Sequence, residues 1–278
     1  MSSSADPASH VLRWFATNGR RLPWREQPDP YAVVVSEFML QQTQVDRVVP
    51  IFHAFVEHFP NFAVLADVSR AAVIRAWRGL GYNSRALRLH ELARTVVSAH
   101  AGQLPRDRDA LLALPGVGPY TASAIRAFAF NLDGVALDTN VSRIVQRFAF
   151  GLEFPSGAPR AALERAAAIF VVPGKARDLN GALMDLGSSL CTVRAPKCAS
   201  CPLSTRCAAA PVEGTELERL RQTARTGKKE RAPFRQTKRF ARGRIVDSLR
   251  SLPHGATISL PDLSANLQPL MPDRTHAD

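Results

Sequence analysis

Apolar residues recur every three or four positions along most of the first 210 residues, the spacing that lays them on one face of a helix. Asp29-Pro30 reads as a helix cap followed by proline at the first helical position, opening an apolar stretch from Tyr31 to Leu40. A second periodic run extends from Val45 to Phe59 and stops at Pro60. The same spacing predicts helices from Ala71 to Trp77, Arg85 to Ala99, Asp107 to Leu114 and Thr121 to Phe130. It continues from Asn140 to Phe150, Ala161 to Val171 and Leu179 to Leu190. Proline and glycine fall in nearly every gap, and alternating, strand-like segments are scarce. The expected class is all-α.

The pattern changes after Cys207. Glu216 to Arg225 reads as a short polar helix, Gly227-Lys228-Lys229 and Ala232-Pro233 as linker, and Phe240 to Leu249 regains helical periodicity. Gln268 to Asp278 reads as a frayed end, and there is no internal repeat.

With 278 residues, 46% of them hydrophobic and 22% charged, the chain can bury a core, which excludes disorder throughout. A formal charge of +12 points to a polyanionic partner, nucleic acid ahead of a membrane surface. Eight of those charges lie in residues 215–250, so the remainder carries little excess. The first residues lack the pattern of an export signal, and the longest apolar run, Ala166 to Val172, is far short of the ~20 residues of a membrane span. Four cysteines crowd between Cys191 and Cys207, with none elsewhere. That clustering suits a metal or cluster site in a reducing, cytoplasmic compartment better than a disulfide framework.

Four features carry candidate chemistry. In Leu114-Pro115-Gly116-Val117-Gly118-Pro119-Tyr120-Thr121, two glycines turn the chain between helices and the next helix starts at once. Such a hairpin offers amides and a helix N-terminus to a phosphate, although an ordinary αα-turn has the same composition. The cysteines follow Cys191-x6-Cys198-x2-Cys201-x5-Cys207. The six-residue first gap fits the short-spaced doublets of structural zinc poorly and suits a 4Fe-4S cluster. Asp138 sits where a helix begins, so it reads as a cap, or as a carboxylate held at a groove; the two are compatible. Glu37 lies among Val33, Val34, Phe38 and Leu40. It is either a solvated helix-face charge or a partly buried carboxyl with a raised pKa, the state a general acid needs.

Together these elements resemble the helix-hairpin-helix DNA glycosylases, and among them the MutY-type adenine DNA glycosylases. The carriers are Leu22-Pro23-Trp24-Arg25, Ser36-Glu37-Phe38-Met39-Leu40-Gln41-Gln42-Thr43-Gln44-Val45, Gly79-Leu80-Gly81-Tyr82, the glycine hairpin, Asp138-Thr139-Asn140-Val141 and Leu183-Met184-Asp185-Leu186-Gly187 before the cysteines. The resemblance runs from about Trp14 to Cys207. It implies a six-helix barrel lobe at 27–133 carrying the hairpin, and a lobe of 1–26 with 134–210 carrying a 4Fe-4S cluster on Cys191, Cys198, Cys201 and Cys207. Residues 211–278 are then a basic tail where the family has a lesion-recognition domain, read either as a non-specific DNA arm or as a solvated, disordered segment without a partner.

The partner so implied is double-stranded DNA with mismatched or damaged pairs, met by a monomer at the bacterial nucleoid, with no membrane. The implied reaction is monofunctional hydrolysis of the N-glycosidic bond of a flipped adenine paired with 8-oxoguanine or guanine. Glu37 and Asp138 share the catalysis, with Tyr120 hydrogen-bonded nearby and Asn140 orienting Asp138. Arg20, Leu22, Trp24, Arg25 and Met184 line the base pocket. Gln42 and Tyr82 fill the emptied stack and contact the opposite strand; Gln41 and Thr43 beside Gln42 are further DNA contacts or a solvated helix end, and Gly116, Val117, Gly118, Arg194 and Lys197 grip phosphates. The endonuclease III branch has a lysine where this chain has Tyr120, and tyrosine cannot form an imine with the sugar. One departure is Gly181, where the family often carries Gln or Glu to read adenine. A thymine or uracil mismatch glycosylase of the same superfamily, and a non-catalytic helix-hairpin-helix DNA-binding module, are the other readings.

Overall fold

The computed structural model describes residues 6–26, 29–151, 157–218, 237–253 and 255–270. Among them the regular structure is entirely helical. In chain order the helices are α1 (Pro7–Asn18), α2 (Pro23–Glu26), α3 (Pro30–Leu40), α4 (Val45–His58), α5 (Phe62–Asp67), α6 (Arg70–Ala76), α7 (Ser84–His100), α8 (Arg108–Leu112), α9 (Pro119–Phe130), α10 (Thr139–Phe150), α11 (Arg160–Ala167), α12 (Ala176–Ser189), α13 (Lys238–Arg250) and α14 (Leu260–Leu267). Short 3-10 turns lie at Ala168–Phe170, Cys198–Ser200, Ser204–Arg206 and Gln268–Leu270.

Helix starts follow side-chain chemistry. Asp29 accepts from the Ala32 amide at 2.9 Å with Pro30 behind it, as expected from the sequence. Helix α1, absent from the periodic runs, opens with the same signal, Asp6 followed by Pro7. Helix α5 also escapes a period-based reading, because six residues span less than two turns; the signal that marks it is Asn61 accepting from Val64 at 2.9 Å. The run expected from Ala161 to Val171 stops being α-helical at Ala167, and the one expected from Asp107 to Leu114 shortens to five residues. Of the expected polar helix from Glu216 to Arg225, residues 216–218 are helical and the rest lie outside the described residues, as do both linker segments. The Phe240 to Leu249 periodicity corresponds to α13, and α14 was not expected.

Two hydrophobic cores form. The first gathers side chains from Leu22 to Ala136, including Phe38, Phe55, Trp77 and Leu89. The second joins Ala8 and Val11 of α1 to Leu137, Val141, Ile144 and residues up to Leu203. Helix α12 packs on α1, α10 and α9, so it touches both cores, and Met184 packs against each. Its approach to α10 is close because residue 187 is glycine: a Cβ there would lie 2.8 Å from the Asn140 Cβ. Gly187→Ala is therefore expected to push α10 and α12 apart, destabilising the fold by about 1–3 kcal/mol in urea denaturation.

Candidate active site

A cleft of about 1370 Å³ opens between the lobes. It is lined by side chains from the loop before α2, from α3, from residues 41–46, from the start of α9 and α10, and from α12. Of the residues expected at the site, Glu37, Tyr120, Asp138, Asn140, Arg20, Leu22, Trp24, Arg25, Met184, Gln41, Gln42 and Thr43 all line it. Tyr82, the hairpin residues Gly116, Val117 and Gly118, and Arg194 and Lys197 stand outside the lining.

Packing of α3 on α9 brings Glu37 beside Tyr120. Glu37 is 6% exposed, and burial pushes its carboxyl up to about 7. The Tyr120 hydroxyl donates to it and works against the rise, the Asp138 charge adds to it, and Arg25 opposes it. Near neutral pH this carboxyl is thus available to donate a proton. Burial, with the negative charges of Glu37 and Asp138, holds the Tyr120 phenol well above its ordinary value, so it stays a hydrogen-bond donor.

Asp138 is fixed from two sides. Its Oδ1 accepts from the Val141 amide at 2.6 Å, the helix cap the sequence suggests, and its Oδ2 accepts from Asn140 Nδ2 at 3.3 Å. Asn140 is held in turn, its Oδ1 accepting from Arg143 Nη2 at 2.9 Å. Arg143 also donates to the Gly187 and Cys191 carbonyls at 2.7 and 2.8 Å, tying the carboxylate to α12 and to the cysteine loop. The extended segment that delivers Asp138 is pinned by buried Asn180: its Oδ1 accepts from the Ala136 amide at 2.7 Å, and its Nδ2 donates to the Gly134 carbonyl at 2.8 Å.

Arg20 and Arg25 border the cleft, but their guanidinium groups converge on Asp185, with contacts of 2.6 and 2.9 Å. Burial alone would raise the Asp185 carboxyl; the hydrogen bonds and charge of Arg25, then those of Arg20, outweigh it and hold it below the usual carboxylate range. At Gly181 a Cβ would press on the tip of the Phe15 ring at 3.0 Å, so any side chain there needs that ring to give way.

The rim is organised by Arg85, which sequence reasoning missed because nothing local marks a lone arginine in a helix. Arg85 is buried and donates to the carbonyls of Phe38, Met39, Gln41, Leu80 and Gly81 and to the Thr43 hydroxyl. It binds loop 41–44 to loop 79–83, where Gln42 (φ 58°) and Tyr82 (φ 47°) both adopt left-handed backbone. Such conformations persist in non-glycine residues only where surrounding bonds over-determine them.

In the hairpin, Gly116 (φ 80°) lies against Phe38, where a Cβ would come within 2.9 Å of the ring. The Val117 amide bonds internally to the Leu114 carbonyl at 3.1 Å, and no side chain caps α9, so the Gly116 and Gly118 amides and the first-turn amides of α9 face outward for an anion.

The four cysteines are half-buried in one loop region, and three pack against the second core. Burial first, and then the neighbouring thiols, push Cys201 up to about 11 and raise Cys207. The Arg147 guanidinium lies 3.6 Å from the Cys191 sulfur. Among the described residues no three Cys, His, Asp or Glu side chains converge on a single metal ion. The donor set fits a group that takes one thiolate per iron better than a lone zinc.

The raised Glu37 pKa has a consequence for stability. Its unfolded carboxyl titrates near 4.5 and its folded one near 7, so its contribution is full below pH 4.5 and is lost as pH rises through 7. Glu37→Gln is expected to remove that part of the pH dependence, as followed by denaturant midpoints from about pH 4 to about pH 9.

Residues 35–166 match the HhH-GPD superfamily base excision DNA repair protein family. An adenine DNA glycosylase of Mycolicibacterium smegmatis is 40% identical over 244 residues, covering 86% of this chain and 79% of that one. A thymine/uracil-DNA glycosylase of Methanothermobacter thermautotrophicus is 34% identical over 200 residues, covering 72% and 90%. The solved structure of a thermostable thymine-DNA glycosylase superposes with a TM-score of 0.66 at 34% identity, over 72% of this chain and 93% of its own. With the hairpin, the paired carboxyls and the interlobe cleft in place, the chain belongs to the HhH-GPD superfamily of base excision DNA repair proteins, as a relative of the MutY-type adenine DNA glycosylases.

Proposed function

We propose that the chain is a monofunctional adenine DNA glycosylase of base excision repair, acting on adenine opposite 8-oxoguanine or guanine in duplex DNA. The observation that carries this reading is the buried Glu37 carboxyl, with a pKa of about 7, facing the same cleft as Asp138. A base inside a duplex is out of reach, so the nucleotide is extruded into the cleft. The bond from C1′ to the purine nitrogen breaks with its electron pair leaving on the base, and protonated Glu37 supplies a proton to a purine ring nitrogen. Asp138 stabilises the cationic sugar or bonds to C1′, and water completes the hydrolysis, leaving free adenine and an abasic site. Asn140 keeps Asp138 aimed at the cleft, and Tyr120 orients Glu37 without offering an amine to the sugar. Arg20, Leu22, Trp24, Arg25 and Met184 form the pocket wall, the two arginines being set by Asp185.

Gln42 and Tyr82 enter the space the adenine leaves, with Gln41 and Thr43 beside them. The Gly116 and Gly118 amides and the exposed Arg194 and Lys197 bind phosphates without reading sequence. Cys191, Cys198, Cys201 and Cys207 would hold a 4Fe-4S cluster that staples the loop carrying Arg194 and Lys197, in a protein working as a monomer on the bacterial nucleoid. The cluster would stiffen that loop, and Arg147 and Arg143 would tie it back to α10. No helix among the described residues is long and apolar enough to cross a membrane.

A mismatch glycosylase for thymine or uracil is the second reading, favoured by the 34% identity to a thymine/uracil-DNA glycosylase. An acid at Glu37 favours adenine, because a purine leaves more readily once its ring is protonated.

Duplexes carrying A:8-oxoG, A:G, T:G or U:G, incubated with protein and heated in alkali, separate these readings: strand breaks are expected on the first two, and breaks confined to T:G or U:G would overturn the choice. Single-turnover excision is expected to fall as pH rises through about 7, and Glu37→Gln to lose about 10²–10⁴-fold. Asp138→Asn should lose a similar factor, and borohydride should trap little covalent adduct.

A further inference from the structure

Helix α13 docks beside the wedge loop of the barrel lobe. Arg239 lies over the Tyr82 ring, its guanidinium carbon 3.9 Å from the ring centroid. The Arg85 guanidinium carbon is 5.5 Å from the same centroid, so two cations flank one ring. At the far end of α13, Arg250 donates to Asn83 Oδ1 at 2.8 Å, gripping the next residue of the loop. The helix also packs on α6, and α14 packs on it. Its cations divide into two groups. Arg244 and Arg250 face Asp247, at 3.7 and 3.3 Å. Lys238, Arg239 and Arg242 are exposed and, among the described residues, have no acidic partner. Their spacing puts them on neighbouring turns of one face, with Arg239 at the wedge.

Direction matters as much as charge. Gln42 borders the cleft that would take the extruded nucleotide, whereas Tyr82 lies outside its lining, reached across the Arg85-bound loops. Tyr82, with α13 against it, therefore stands outside the cleft that would take the extruded base. We propose that α13 belongs to the DNA-distorting apparatus: Arg239 is a positioning residue for the Tyr82 ring, and Lys238, Arg239 and Arg242 meet phosphates of the strand opposite the extruded nucleotide. The inference rests on the reading of Gln42 and Tyr82 as residues that enter the duplex. Tyr82 holds φ 47° and is 38% exposed, so without a clamp it would relax away from this pose. Arg85 clamps it from within and Arg239 from without. A planar guanidinium suits that task better than an ammonium, because it stacks on the ring while its N–H groups still reach a phosphate.

The test uses the full chain and an A:8-oxoG duplex whose target carries an uncleavable 2′-fluoro sugar, with Kd followed from about 50 to 200 mM salt. Lys238→Ala/Arg242→Ala is expected to lower the slope of log Kd against log salt by about 2, and Arg239→Ala by about 1. Arg239→Lys is expected to restore the slope but not the unstacking reported by 2-aminopurine next to the target. Tyr82→Leu and Arg239→Ala should give non-additive losses of that signal when combined. An unchanged slope overturns the phosphate surface; additive losses, or a lysine variant equal to the parent, overturn the positioning role. Excision of adenine by the parent chain is scored separately on the cleavable duplex. Excision with an unchanged slope sinks α13 alone, and a changed slope without excision sinks the adenine reading alone.

Discussion

Asp185 is a carboxylate in the interior, 2% exposed, and the segment leading into the barrel lobe is joined to α12 through it. It accepts from the Arg20 amide, from the Arg20 guanidinium and from both terminal nitrogens of Arg25. An ion in that position persists because its partners saturate it; removing either side would strand buried charge. Its consequence is positional. Helix α12 is fixed against the segment 20–25 on one side, and through Asn180 and Gly187 it sets the segment before Asp138 and the depth of α10 on the other. The cleft exists because one helix serves both cores.

Around that seam the two carboxyls of the cleft occupy contrasting surroundings. Glu37 is among apolar side chains of α3 with a single hydroxyl donor, so its charged form is poorly solvated. Asp138 is at a helix N-terminus, where its two oxygens accept from a backbone amide and a side-chain amide. Burial thus makes Glu37 a proton donor near neutral pH, while backbone placement fixes where Asp138 points.

The rim shows a second use of buried cations. Among the described residues no carboxylate pairs with Arg85; it is compensated by carbonyl oxygens gathered from two loops, and burial lowers its pKa. Those oxygens belong to the loops that present Gln42 and Tyr82, so one buried guanidinium holds both loops in place. On the outer side Arg239 reaches Tyr82 from the basic C-terminal region, which carries most of the excess charge of the chain. The bulk charge therefore says little about the catalytic cleft and more about what borders it.

Much of this was legible in the residues alone. The Asp29-Pro30 start, the Asp138 cap, the glycine hairpin and the cysteine spacing are local, because caps and turns are settled by hydrogen bonds and sterics within a few positions. Glu37 could be flagged from its apolar neighbours, but its burial could not be known, since that depends on what α9 and α10 bring against α3. Arg85, Asn180, the pairing of Arg20 and Arg25 with Asp185, and Arg239 on Tyr82 were out of reach for the same reason. Arg20 and Asp185 are 165 positions apart, and a desolvated charge chooses its partner only after the chain has folded around it. The sequence by itself determined most of the helices, several of their caps and the donor set. Tertiary structure decided which carboxyl is an acid, which arginines are spent in the interior and which remain for a partner, because those outcomes depend on water being excluded by elements far apart in the chain.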